Sequence, residues 1–327
     1  MAYSPATNLT TTATVAHGAT VFYKKTGLDI LQKKFRFGMA AMKDVVPKQS
    51  GRTVQWFRYS NLAASTTVAT EGTVGTGLAL TSHVLTATVS QYADFITVSD
   101  LLADTIIDPV VQSAAERLGY RAGLSVDTIV KNVLNAENTG MAQSVLATYL
   151  RVADLRNARH QLQAVDVEPL EDGNFLAISH PFNTYDVVND PAAGGLADIV
   201  KYTGPKDSAL VKYEDRGQVA IVGGCKLIES TNIAVSSTLY RTYVFGKNAY
   251  GIVDLEGRGP SQIVDPTKQR FSIRTIRDRG DNIANPEGLI GAAVAYNFVF
   301  TAVVLEGPTG IGGSYRAKQI DAASTVG

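Results

Sequence analysis

The sequence predicts an α+β chain built around one long helix, one long uncharged hairpin and strands on either side of them. Three observations carry this. From Pro109 the chain runs PVVQSAAERLGYRAGLSVDTIVKNVLNAE. Its residues Val111, Ala114, Ala115, Leu118, Ala122, Val126, Ile129, Val130, Val133 and Leu134 keep a helical period for about seven turns. Ahead of it, TVQWFRYS (53–60) and VLTATVSQYADFITVS (84–99) alternate and are β-branched and aromatic, as strands are. Between those strands lies NLAASTTVATEGTVGTGLALTSH (61–83), which carries a single charge, Glu71.

The elements come in this order. Residues 1–20 are Thr/Ala-rich with almost no hydrophobic pattern and read as an extended arm. In VFYKKTGLDILQKKFRFG, Phe22, Leu28, Leu31 and Phe35 recur at loosely helical spacing with lysines between them, and Gly27 interrupts the pattern. Pro47 and Gly51 mark a turn. The low-charge stretch 61–83 closes a long hairpin whose tip falls near Glu71-Gly72, since disorder favours high charge and low hydrophobicity. Ser99 or Asp100 can cap the start of the helical region. A second helix fits ATYLRVADLRNARHQLQAV (147–165). FLAISHP reads as a short buried strand, and a short helix is expected around Leu196–Lys201. QVAIVGGCKLIEST (218–231) and TLYRTYVFGKNAYGIVDL (238–255) read as strands. QRFSIRTIRDRG (269–280) and AAVAYNFVFTAVVLEG (292–307), joined through Asn285-Pro286-Glu287-Gly288, read as a closing antiparallel hairpin. The remaining C-terminal residues, up to Gly327, are expected to form a flexible tail.

The totals narrow the class. A chain of 327 residues is long for one ordinary domain and short for three. Charged residues make up 18%, below the roughly 25% of ordinary soluble domains, which suits a surface buried against other subunits. Net charge is zero but unevenly spread. Up to Ser60 there are nine basic residues, among them Lys24, Lys25, Lys33, Lys34 and Arg36, against Asp29 and Asp44, so this part carries +7 and the rest −7. Such asymmetry marks either a face turned to nucleic acid or a solvated face. Cys225 is the only cysteine, so neither a disulfide within the chain nor a Cys-based zinc site is expected, and it reads as a small core residue. The N-terminus has no signal-peptide pattern, and the longest apolar stretch, Leu289 to Leu305, is broken by Gly291, Asn297 and Thr301. The protein is expected to be intracellular when made, without a membrane partner.

The search for chemistry is mostly empty. No phosphate-binding loop, G-x-S-x-G elbow or H-E-x-x-H helix occurs. GPTGIGGSY (307–315) lacks the third glycine and the following helix of a dinucleotide site. His17, His83, His160 and His180 show no metal-ligand spacing. Asp94 with Asp100, and Glu168, Glu171 and Asp172, can bind a cation or do acid–base work, but loop solvation and helix capping explain them as well. No catalytic residue, cofactor or metal site is therefore expected.

The order of elements resembles the HK97-like fold of tailed-phage and herpesvirus shell proteins, and specifically the N4-type major capsid proteins. FRFGMAAMKDVVPKQSGRTVQWFRYSNL, ATEGTVGTGLALTSHVLTATVSQYADFITVSDLL and VVQSAAERLGYRAGLSVDTIVKNVLN carry the likeness, with FLAISHP and AVAYNFVFTAVVLEG beyond them. It extends from about residue 20 to 307 and rests on texture and order. The resemblance implies an arm and basic helix at 1–52 and an E-loop hairpin at 53–98. It implies a P-domain with its spine helix at 99–165, an A-domain at 166–260, P-domain return strands at 261–306 and a tail at 307–327. The tip residues Thr70, Glu71, Gly72, Thr73 and Val74 would contact the adjacent subunit, while Lys24, Lys25, Lys33, Lys34 and Arg36 would face DNA. The implied function is a self-assembling subunit in the pentamers and hexamers of an icosahedral virion. That shell would be assembled in the host cytoplasm around double-stranded DNA, with scaffolding, portal and cement proteins as further partners. Some shells of this fold are cross-linked through an E-loop lysine; residues 61–83 contain none, so overlap is expected to be non-covalent. A tail-tube or decoration subunit, and an α+β enzyme without a recognisable motif, are the alternatives.

Overall fold

The computed structural model describes residues 36–66, 68, 71–72, 77–105, 110–190, 218–233, 235–236, 238–259, 274–276, 291–307 and 315–325. The arm at 1–20, the basic segment up to residue 35, the short helix near 196–201 and most of 269–280 lie outside them.

The chain begins with β1 (Ala41–Val46), then β2 (Thr53–Tyr59) and β3 (Ser82–Thr88). Between β1 and β2 the turn at Pro47 is closed by Ser50 N–H donating to the Pro47 carbonyl at 3.3 Å. Gln49 and Gly51 adopt positive φ there. β2 and β3 pair antiparallel from Thr53↔Thr88 to Tyr59↔Ser82 as a two-stranded sheet of their own. Of the segment 53–98, Thr53–Thr88 forms a hairpin, with Glu71-Gly72 in a turn and Gly72 at φ +80.

The strand expected at 84–99 is two strands. Val89 is buried, its N–H donates to the Arg52 carbonyl at 2.9 Å, and the chain there leaves the hairpin to become β4 (Ser90–Ser99). Next come α1 (Asp100–Thr105), capped by the Ser99 hydroxyl at 3.3 Å from Leu102 N, and α2 (Val110–Ala136). The 27 residues of α2 span about 40 Å. After α3 (Asn138–Met141), the second helix starts later than its pattern suggests. Residues 142–149 form β5 (Ala142–Tyr149), and α4 runs only over Val152–Gln163.

β6 (Phe175–Ser179) matches the expected buried strand and leads into α5 (Pro181–Val188), which the sequence did not suggest. The segment 218–231 is a hairpin, β7 (Gln218–Val222) and β8 (Cys225–Glu229), turned by Gly223 (φ 60) and Gly224 (φ 82). Two positive-φ glycines give the turn that matches strand twist. Further on are β9 (Val235–Ser236), β10 (Leu239–Phe245), β11 (Tyr250–Leu255), β12 (Arg274–Ile276), β13 (Gly291–Val304) and β14 (Ala317–Ala323).

Two larger sheets result. The first runs β1-β11-β13-β12, with β4 paired to β13 along Gly291↔Ser99 to Phe300↔Ser90. β12 pairs with β13, as the closing hairpin required. The second runs β5-β14-β10-β6-β8-β7. The 238–255 segment therefore splits between sheets: β10 enters the second and β11 the first. The expected flexible tail is instead β14, antiparallel to β10 and parallel to β5 in the interior of the second sheet. Its Ala317, Ile320 and Ala322 are buried.

Both faces of the second sheet are covered. Phe175, Ala177, Val244, Ile320 and Ala322 pack with Val152, Leu155, Ala158 and Leu162 of α4. Leu176, Ile178, Tyr243, Phe245 and Ala317 join the core of α2 and β13. Burial on both faces explains why FLAIS reads as an unbroken apolar run rather than an alternating one. On α2 the residues Ala114, Leu118, Ala122, Val130 and Leu134 are buried, and Val126 packs against the same core. This four-residue spacing advances about 40° per step, so the buried stripe winds around the helix. The winding lets the early turns meet the first sheet and the late turns the second.

Candidate assembly surfaces

One face of the hairpin β2–β3 lies against the body. Val54 and Trp56 pack with Val46, Val89, Val253 and Val299. At the far end of β2, Arg58 pairs with Glu306 at 2.6 Å, and Glu306 also holds Arg316 at 2.6 Å. The other face of the hairpin is uncovered. Phe57 is 68% exposed, Leu78 73% and Val68 88%, and Tyr59, Leu62, Leu80 and Val84 are exposed too. The Phe57 and Tyr59 rings touch edge to face at 6.0 Å. A two-stranded sheet with one open apolar face is marginal alone. Of the expected tip residues, Glu71 and Gly72 are exposed in the turn; Thr70, Thr73 and Val74 lie outside the described residues.

The cationic group divides. Lys24, Lys25, Lys33 and Lys34 lie outside the described residues. Arg36 does not face solvent: it is 7% exposed. The Arg36 and Phe37 N–H groups both donate to Asp127 Oδ1 at 3.0 Å, and Asn232 Nδ2 donates to Oδ2 at 2.7 Å. Phe37 is fully buried, its carbonyl accepts from the Tyr250 hydroxyl, and its ring meets Tyr243 at 5.9 Å. Burial also drives the Tyr250 hydroxyl pKa up. Arg36 is thus part of the root that ties the N-terminal segment to α2. A lone buried Asp in a helix, three turns past Arg117, carries no sequence signal that would have revealed this.

The other polar residues serve the fold. Asp186 accepts from Thr325 N at 3.2 Å and from its hydroxyl, and Asp190 accepts from Val152 N at 3.2 Å. Asp94 pairs with Arg121 and Asp172 with Lys226. Cys225 is buried against the Leu155 carbonyl, and burial pushes its thiol up to about 12. Tyr243, also pushed up to about 12 by burial, bonds Asn135 of α2, which in turn accepts from Arg241 at 3.0 Å. Tyr315 donates to Glu137 at 2.8 Å, where any side chain at Gly140 or Gly307 would collide with its ring. Among the described residues no group of three His, Cys, Asp or Glu could hold a metal ion. No described helix is long and apolar enough to cross a membrane.

His180 is a titratable group at a structural joint. Its Nδ1 accepts from Phe182 N at 3.3 Å at the start of α5, and its ring stacks on Tyr240 at 4.6 Å. Desolvation lowers its pKa below 6.5. The unfolded chain therefore takes the proton first, so this contribution to stability is complete above pH 6.5 and is lost as pH falls through the lowered folded value. Melting temperature should drop between pH 7 and pH 5, and less so in His180→Asn, which keeps a capping acceptor that does not titrate. An equal drop in both proteins would exclude His180 as the cause.

A scan against protein-family models and a search of curated proteins return no match. Solved structures do match. The capsid of Ralstonia phage GP4 is 13% identical with a TM-score of 0.64, over 94% of this chain and 96% of that one. The capsid of cyanophage P-SCSP1u is 14% identical with a TM-score of 0.64, over 99% of each chain. The capsid of cyanophage Pam1 is 12% identical with a TM-score of 0.65, over 99% of each. The chain has the fold of phage capsid subunits, the HK97-like fold.

Proposed function

We propose that this chain is the major capsid protein of a tailed phage, of the N4-type group, forming the pentamers and hexamers of an icosahedral shell around double-stranded DNA. The observation that carries the proposal is the hairpin β2–β3 with its connecting loop, where seven large apolar side chains are more than half exposed. Covering one such side chain is worth about 1.5–3 kcal/mol, and a closed shell repeats the contact at every subunit. In this reading the hairpin is the E-loop, lying across the adjacent subunit with Thr70, Glu71, Gly72, Thr73 and Val74 at its tip. Residues 99–165 with the return strands 261–306 are the P-domain, and residues 166–260 are the A-domain. Lys24, Lys25, Lys33 and Lys34 face the packaged DNA through phosphate contacts, which are independent of sequence and weakened by salt. The protein's role is structural, its location is the virion, and assembly takes place in the host cytoplasm.

Electron microscopy of the purified full-length protein tests this. Closed shells are expected; tubes would favour a tail-tube subunit, and monodisperse particles under all assembly conditions would overturn the proposal. Because residues 61–83 contain no lysine, shells boiled in denaturant should run as a single monomer band. A ladder of covalent multimers would refute the non-covalent overlap.

A further inference from the structure

The hairpin tip carries a charge that pairs with no described residue. Between Arg58 and Asp94 the only Asp, Glu, Lys or Arg is Glu71. It is exposed in the terminal turn, whose backbone need is met by Gly72 at φ +80. Nothing about forming the turn calls for a carboxylate there.

At the hairpin's base is a cleft of about 480 Å³ between two tight turns, bordered by Lys48, Gly51, Glu256, Gly257 and Arg258. The turns are locked together: Glu256 N–H donates to the Val46 carbonyl at 2.9 Å, and Lys48 N–H donates to Glu256 Oε2 at 3.2 Å. Glu256 is thereby partly occupied by backbone. Lys48 and Arg258 are exposed, and neither forms an ion pair with a described residue. Two cations against one acid leave the cleft's rim at +1.

We infer that the cleft receives Glu71 from the hairpin tip of a second copy of this chain. This rests on the shell-forming reading and names the contact that fixes the register of the overlap. Seven paired residues carry β2 about 20 Å away from its own cleft before the loop begins. Donor and acceptor are different surfaces of one chain, and such head-to-tail contacts form rings where the rotation between subunits closes. The apolar face supplies attraction without direction. A single carboxylate meeting two cations supplies register, as charge complementarity does at other interfaces.

The test uses the full-length protein, with E71K, K48E/R258E and the triple variant, each titrated for the concentration at which shells appear. Each charge reversal is expected to raise that threshold tenfold or more, and the triple variant to return within threefold of wild type. A wild-type threshold for E71K, or a triple variant no better than E71K, overturns the contact and leaves the shell reading standing. A carbodiimide, which joins carboxylate to amine without a spacer, provides a second readout. Mixed isotopically labelled and unlabelled protein should give an intermolecular Glu71–Lys48 peptide in whatever oligomer forms. Wild-type protein that makes neither shells nor this peptide would sink both readings.

Discussion

Deleting residues 315–327 is expected to abolish folding of the second sheet. β14 sits between β5 and β10, pairing with β10 from Tyr240↔Ala322 to Phe245↔Ala317 and parallel with β5 on its other side. Its loss leaves β5 without its partner and opens both faces of the sheet. On the α4 side Ile320 and Ala322 disappear, and on the α2 side Ala317. The Tyr315–Glu137 and Thr325–Asp186 bonds go with them. The truncated protein should be insoluble, or soluble with far-UV circular dichroism short of wild type and exposed apolar surface that binds dye. A milder variant keeps the effect measurable. Ile320 is fully buried, and Ile320→Ala should cost about 2–5 kcal/mol in urea unfolding. A truncated chain that melts like wild type would show that residues 315–327 are dispensable after all.

Asp127→Ala should cost about 2–6 kcal/mol, because each buried donor left without an acceptor costs about 1–3 kcal/mol and two lose theirs. They are the Arg36 and Phe37 N–H groups, while the Asn232 side chain keeps the Thr128 hydroxyl. Asp127→Asn should be less damaging, since its amide oxygen retains acceptor capacity. Urea unfolding reads the stability. Limited proteolysis reads the location: cleavage between residues 36 and 40 should rise well before global unfolding. A variant with wild-type stability and cleavage would mean that Asp127 is not the root of the N-terminal segment.

The parts of the fold legible in the sequence are those whose signal is local. The apolar positions of α2 repeat over seven turns, the long hairpin is nearly free of charge, and β13 is a mostly apolar run. The split of 218–231 into β7 and β8 has a local signal too, since Gly223-Gly224 between two apolar runs is a hairpin pattern. β5 and β14 are different. AQSVLATY and AKQIDAA are rich in Ala, Gln and other residues that strands do not favour, and β5 comes directly after a helix. They are strands because neighbouring backbones pair with them and, for β14, because Ile320 and Ala322 pack against α4. The site divides the same way. The tip turn at Glu71-Gly72 is visible in sequence, whereas the cleft that would receive it joins residues 48 and 258.

By itself the sequence determined that this protein has a seven-turn amphipathic helix, a projecting low-charge hairpin and a closing strand, because periodicity and charge are properties of neighbouring residues. Only the tertiary structure decided which strands share a sheet. β1 lies parallel to β11 with Ala41 opposite Tyr250, and the chain changes sheets at Val89 and again between Phe245 and Tyr250. Those choices depend on backbone groups far apart in the chain finding partners at once, and no window of sequence contains both halves of such a pair.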